Sequence, residues 1–310
     1  MKSVTQEQDS LGVRLAPAGD VLKHLADSLH TQSRRYRKRL KGCQEIFSKE
    51  AVHDARVEAR RLLATIELLG AFLPERKLQK ARRVLKQQLD RFDPLRDTQV
   101  QLIYVTRMTR VFPAAQAFRE WLLKRQARFT RQTRQAIKHL KTKRLTRRLV
   151  SLEWDLCRRR KHLARDRAFA AALSAMNRAF AQVARRYRHI AAADTKTIHR
   201  TRIAFKRFRY MVDALSPLLP VVTEPHQHAM RGYQSMMGDI QDMEVLLVAL
   251  DKFLRKQEIN TAAADRLRNE VLRRRQWLIQ VYRHAAGKLR LFWPPPGLTA
   301  VARKTSRSSR

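Results

Sequence analysis

Carboxylates are scarce in this chain: 27 Asp and Glu stand against 67 Lys and Arg, a formal net charge of +40 over 310 residues. Self-repulsion on that scale opposes compaction, so the composition implies a polyanionic partner: nucleic acid, polyphosphate, an anionic membrane or an acidic protein. Cysteine is nearly absent. Cys43 and Cys157 form no CxxC and no Cys/His cluster, which argues against a disulfide framework and against a zinc site. Long hydrophobic runs are missing too, and the N-terminal stretch MKSVTQEQDSLGVRLAP lacks the apolar core of a signal peptide, so the expectation is a soluble cytoplasmic protein. Glycine and proline are few and unevenly placed. No glycine falls between Gly70 and Gly232, no proline between Pro113 and Pro217, and nothing in that gap alternates like a strand. The chain therefore reads as all-α, built of long helices. A hydrophobic fraction of 44% is enough for a core, which excludes a disordered basic tail.

What is present is an echo. Residues 197–213 read TIHRTRIAFKRFRYMVD and residues 52–67 read VHDARVEARRLLATIE. Setting His199 on His53, 146 residues earlier (199 − 53), pairs Arg202 with Arg56, Ile203 with Val57, Lys206 with Arg60, Arg207 with Arg61 and Asp213 with Glu67. At about 100° per residue, His199, Arg202, Lys206, Arg209 and Asp213 fall within about 80° on one helix face, with Tyr210 at its edge. His53, Arg56, Arg60 and Glu67 do the same. A cationic stripe is ordinarily a solvated face. Here Phe205, Phe208 and Val212 occupy the rest of one helix and Leu62, Leu63 and Ile66 the rest of the other, so both helices belong inside a bundle, where a polar stripe lines an internal groove.

A second pair follows: DPLRDTQVQL at 93–102 and GDIQDMEVLL at 238–247, offset by 145 residues (242 − 97). The doubled H-x-x-R-[VI]-x-x-[RK]-R pattern with this second signature resembles the conserved-histidine α-helical (CHAD) domain family, over about residues 17–293. The resemblance implies an all-helical bundle of two repeats around a basic central channel that binds inorganic polyphosphate. The first copy departs from the second in having Leu63 and Ala64 where the second has Arg209 and Tyr210, so its half of the site is expected to bind more weakly.

The chain then divides into a flexible N-terminus (1–16), a single domain (17–293) and a disordered basic tail (294–310). Repeat one covers about 17–140, a partly helical connector about 141–167, and repeat two about 168–293. In the first repeat a helix ends at Gly42, the His53 helix runs from about Ser48 to Ala71, another spans 75–92, Pro94 introduces the Asp97 helix, and Pro113 precedes a long one reaching about Leu140. The connector is dense in Arg and Lys but carries Leu145, Leu149, Leu152, Trp154 and Leu156. In the second repeat, a proline-marked loop precedes a helix at 224–240, a separate Asp242 helix, and a last one at about 262–291. Further one-sided cations sit on neighbouring helices: Arg34, Arg37, Lys38 and Lys41; Arg82 and Lys86; Arg178, Arg185 and Arg188; and Arg231.

Polyphosphate carries charge on every unit and no base, so binding it needs arginines and lysines held in register, Arg giving bidentate contacts. His53 and His199, among so many cations, should be neutral and donate one hydrogen bond to phosphate. Glu67, Asp97, Asp213 and Asp242 are expected to orient neighbouring arginines rather than hold a metal. His53–Asp54 matches the HD pair of metal phosphohydrolases, but the second copy reads His199–Arg200, which breaks it. His226 and His228 read as loop residues. With no HExxH, no GxxxxGK[ST] and no Ser/His/Asp pattern, the expectation is a non-catalytic protein without cofactor, targeted to or organising polyphosphate granules. The competing reading is sequence-independent nucleic-acid binding; its stacking form requires exposed aromatics among the cations, and most aromatics here occupy apolar positions.

Overall fold

A computed structural model of the chain describes residues 20–191, 194–257 and 261–295. The flexible terminus expected at 1–16 and nearly all of the tail expected at 294–310 lie outside the described residues. Among these residues the fold is all-α, with ten α-helices: α1 (Val21–Glu45), α2 (Lys49–Leu69), α3 (Glu75–Asp90), α4 (Asp93–Met108), α5 (Ala114–Lys138), α6 (Lys143–Arg160), α7 (Arg165–Arg188), α8 (Thr195–Leu215), α9 (Glu224–Lys256) and α10 (Ala262–Ala285). Capping chemistry sets most of the starts. Asp20 accepts from the Lys23 amide at 2.9 Å before α1, and Ser48 Oγ from the Ala51 amide at 3.1 Å before α2. Pro74 precedes α3, and Pro94 and Pro225 stand in the first turns of α4 and α9, where a missing N–H costs nothing.

The two echoed motifs fall on α2 and α8, and these helices pack against each other. Around them α1 packs on α2, α7 on α8, α3 on α2 and α9 on α8, while α4 with α5 and α9 with α10 form the outer pairs. A large core joins most of them, with a smaller cluster of Cys43, Val52, Ala55, Phe92 and Ile137 beside it, and the aromatic centre of the large core is built on α8. Phe205 contacts Tyr233 and Phe292 at centroid distances of 5.0 and 5.6 Å, and Phe208 contacts Phe180 and Trp293 at 5.1 and 5.5 Å.

Several boundaries differ from the sequence expectation. Gly42 does not end α1; its carbonyl accepts from the Ile46 amide at 2.8 Å, and the helix continues to Glu45. The residues expected as a connector are mostly the helix α6, whose Leu145, Leu149, Leu152 and Leu156 are buried against the bundle, where it packs on α1 and α3. Trp154, counted with those leucines, is instead 68% exposed. The helices expected at 224–240 and around Asp242 are one, α9, because nothing breaks it: Gly238 is carried through as a helical residue, whereas Pro94 starts a new helix at the corresponding place in the first signature. His226 and His228 accordingly sit at the start of α9, not in a loop. The last helix gives way at Ala285 to a 3-10 segment, Ala286–Leu291.

Candidate functional site

The apolar residues of α2 and α8 decide where their cations go. Leu62, Ile66 and Leu69 on α2 and Phe205, Phe208 and Val212 on α8 are fully buried, and Leu63 is half-buried. Arg56 and Arg60 of α2 are thereby set within electrostatic reach of Lys206 of α8, and Arg60 also of Arg202. Lys206 registers the crowding. Burial first, then the positive fields of Arg60, Arg202 and Arg56, with only Asp93 opposing them, bring its ammonium pKa down to about 7. Arg60 and Arg202 are lowered in the same direction, chiefly by burial.

The two histidines are not equivalent. His53 is exposed on α2. His199 is half-buried, and burial together with the fields of Arg202 and Lys206 lowers its pKa, so the ring is neutral at pH 7. Its Nδ1 is buried without a hydrogen-bond partner among the described residues, and so is Arg202 Nε. Orphaned polar atoms of this kind each carry an unrecovered desolvation cost.

Arg209 is buried and already engaged. Its Nε donates to Gln234 Oε1 at 2.9 Å, Nη1 donates to Asp213 Oδ2 at 2.6 Å, and the guanidinium lies 4.2 Å from the Tyr210 ring centroid. Tyr210 in turn sits beside Arg60, joining the two helices. Glu67 receives Arg207 from α8 and approaches Arg82 Nε of α3 at 3.5 Å. Asp213 lies in the fields of Arg209, Arg231 and Arg61, though burial is the larger influence and raises its pKa. Glu67 and Asp213 thus each face an arginine of the opposite echoed helix. Among the described residues Asp97 and Asp242 make no ion pair within 4 Å, and burial raises both, Asp242 to about 6.

The remaining cations named from the sequence do not all converge. Arg34, Arg37, Lys38 and Lys41 share a groove of about 550 Å³ on the outside of α1, with Thr31 and Arg35, and none of them contributes to the shifts at Lys206 or Arg202. The size of that groove does not make it the site, since a single helix lines it. Arg82 and Arg178 both line a cavity of about 260 Å³, with Glu67, Gln182 and Arg207 also on its wall. Lys86, Arg185, Arg188 and Arg231 are exposed.

Sequence reasoning passed over four participants. Asp93 accepts from Arg56 Nη1 at 2.8 Å, Asp239 lies in the field of Arg202, Gln234 braces Arg209, and Arg207 crosses to Glu67. Asp93 and Asp239 stand inside the second signature, and Arg207 inside the first, so the motifs contained them. No group of three or more His, Cys, Asp or Glu among the described residues is arranged to hold a metal ion, and no described helix is long and apolar enough to cross a membrane.

The profile of the CHAD domain matches residues 28–251. Solved structures share the fold. The CHAD domain from the plant Ricinus communis superposes with a TM-score of 0.63 at 18% identity, covering 86% of this chain and 91% of that one. PptA from Streptomyces chartreusis superposes with a TM-score of 0.64 at 15% identity, covering 86% of this chain and 98% of that one. No curated protein sequence matches.

Proposed function

The chain belongs to the CHAD domain family, and on that footing we propose that it binds inorganic polyphosphate, without catalysing its turnover, in the seam between α2 and α8. One observation carries the reading: Arg56, Arg60, Arg202 and Lys206 meet in a buried seam where, among the described residues, only Arg56 has a carboxylate within 4 Å, and burial followed by the mutual fields of these cations brings the Lys206 pKa down to about 7. A fold keeps such a cluster only where an anion relieves it, and a linear anion with a charge on every unit can meet several of the four cations at once. His199, neutral and with an unpartnered Nδ1, adds a hydrogen-bonding group at the same place.

In this reading residues 17–293 form one domain of two repeats, with α2 and α8 as the corresponding central helices. The exchange of Arg207 to Glu67 and of Arg61 towards Asp213 supports that correspondence. Recruitment to polyphosphate granules follows as the cellular role.

Nucleic-acid binding has its own support, in a different place. Trp277 on α10 is 51% exposed under Arg274, whose guanidinium lies 4.1 Å from the ring, and Trp154 on α6 is 68% exposed. Aromatics so placed can stack on single-stranded bases. A competition titration of polyphosphate against duplex and single-stranded DNA at physiological salt separates the two. Preference for polyphosphate, abolished by Arg202→Ala with Lys206→Ala, supports the seam. Preference for single-stranded DNA, abolished by Trp154→Ala with Trp277→Ala, overturns it.

A further inference from the structure

The two halves of the seam are not equally open to an anion, and one pair of aligned positions explains why. The second signature sets Asp93 at the start of α4 on Gly238 inside α9, with an offset of 145 (238 − 93). In the first half, Asp93 Oδ1 accepts from Arg56 Nη1 at 2.8 Å, and the Arg56 side chain is 8% exposed. In the second half the aligned arginine, Arg202, lies against the place where Gly238 has no side chain. A Cβ there would stand 3.3 Å from Arg202 Nε and 3.4 Å from Nη2. Glycine inside a helix costs about 1 kcal/mol relative to alanine, so its presence within the 33-residue α9 calls for a reason, and the approach of the guanidinium supplies one. Arg202 makes no ion pair within 4 Å among the described residues, and its Nε is unpartnered. Asp239 and Asp242 act on it only through their fields.

We infer that Asp93 is an internal substitute for the ligand: its carboxylate occupies Arg56 as a phosphate oxygen would, while Gly238 leaves Arg202 free, so that the α8–α9 half anchors the anion and the α2–α4 half admits it only against Asp93. Asp93 is a positioning residue that acts through Arg56 and sets the affinity of its half. This inference rests on the polyphosphate reading. It also differs from the sequence account of a weaker first half, which lay in Leu63 and Ala64. Arg209, the second-half counterpart of Leu63, has Nε and Nη1 committed to Gln234 and Asp213, so the guanidinium whose freedom separates the halves is Arg202 rather than Arg209.

The side chain of Asp93 is 50% exposed, so water already competes for it and the contest with phosphate is modest. Removing a pair of that kind is worth about three- to fivefold in affinity. The test uses the full chain and polyphosphate of defined length, titrated at pH 6.5, where the ammonium is still the main form of Lys206. Asp93→Asn keeps a residue suited to a helix start and removes the charge. It should bind about three- to fivefold more tightly, and log K against log salt should steepen by about one contact, roughly 0.7 to 0.9. Both changes should be much smaller in an Arg56→Gln background, whereas a general charge effect, exerted through the field of Asp93 at Arg60 and Lys206, would leave them equal. In the opposite direction, Gly238→Asp should weaken binding roughly tenfold by giving Arg202 a partner. Gly238→Ala, which displaces the guanidinium without charge, should cost less.

Melting temperatures monitor folding, and if Gly238→Asp does not fold, the Asp93 and Arg56 variants decide alone. An unchanged affinity and salt slope for Asp93→Asn, or an equal gain with Arg56→Gln present, overturns the inference while the polyphosphate reading stands. Failure of the unmodified protein to bind polyphosphate overturns both.

Discussion

Consider Lys206 as the pH is raised from 7 to 9. Its folded pKa is about 7 against an ordinary 10.5, because burial and the fields of Arg60, Arg202 and Arg56 disfavour the ammonium. Between those values the unfolded chain binds the proton that the folded chain has released, so stability rises with pH across this window, and the penalty for the charged lysine is present in full below pH 7. Ligand affinity moves the other way. An anion in the seam favours the ammonium, so at pH 8, where the free protein is about one-tenth protonated, binding must draw in close to one proton. Each pH unit above 7 then costs about 1.4 kcal/mol, or tenfold in affinity. Facing Lys206 are Arg56 and Arg60 from α2 and Asp93 from α4, with Arg202 on its own helix; Asp242, at about 6, and His199 titrate below the window. Calorimetric titration of polyphosphate at pH 8, in buffers of differing ionisation enthalpy, counts the protons directly. Lys206→Gln should remove the uptake and flatten log K between pH 7 and 9. No uptake by the unmodified protein, or the same uptake by Lys206→Gln, refutes the reasoning.

Three further outcomes are expected. Replacing His199, Arg202 and Lys206 by Gln, Ala and Ala, or His53, Arg56 and Arg60 likewise, should each remove most of the affinity measured by calorimetry, the first-half triad being the milder of the two, whereas deleting residues 303–310 should remove little; an equal loss from the tail would mean a diffuse surface field. Polyphosphate at a hundred times its Kd should stabilise the protein by about 2.7 kcal/mol, read as a rise in Tm, with orthophosphate at equal phosphate concentration giving much less. Phe205→Ala should cost about 3–5 kcal/mol in denaturant unfolding, since the ring is fully buried between Tyr233 and Phe292.

Periodicity and punctuation made much of this legible. The 3.6-residue pattern on either side of His53 and His199 identified both helices, and the apolar residues flanking each stripe are buried as that pattern requires. What escaped were features decided by packing at a distance. Gly238 carries no local sign of whether a helix stops or continues there; the guanidinium lying against it is 36 residues away in sequence (238 − 202). The leucines of α6 were visible, yet their burial depends on α1 and α3 presenting an apolar face to them. Trp154 was grouped with them by composition, although its position puts it on the other face. Asp93 stood in plain view inside DPLRD, but its role requires Arg56, 37 residues earlier, to be aimed at the start of α4.

The energetic problem of the seam explains why its surroundings are as apolar as they are. A lysine pushed from 10.5 to about 7 represents on the order of 4–5 kcal/mol of unfavourable interaction at neutral pH, a large part of the 5–15 kcal/mol by which domains are stable at all. Orphaned atoms on His199 and Arg202 add to it. Stiff, well-packed elements must offset that cost without moving, because cations free to splay apart would relax the strain and lose the register that a repeating anion requires. Phe205 and Phe208 lie one residue before and two after Lys206, so the rings that hold α8 in the core are the ones that fix where its ammonium points. Across the seam, Tyr210 beside Arg60 and Glu67 beneath Arg207 tie α8 to α2 through polar contacts that flank the cluster without neutralising it. The arrangement leaves the four central cations close together and Arg202 without a paired carboxylate, which is the state an incoming polyanion relieves.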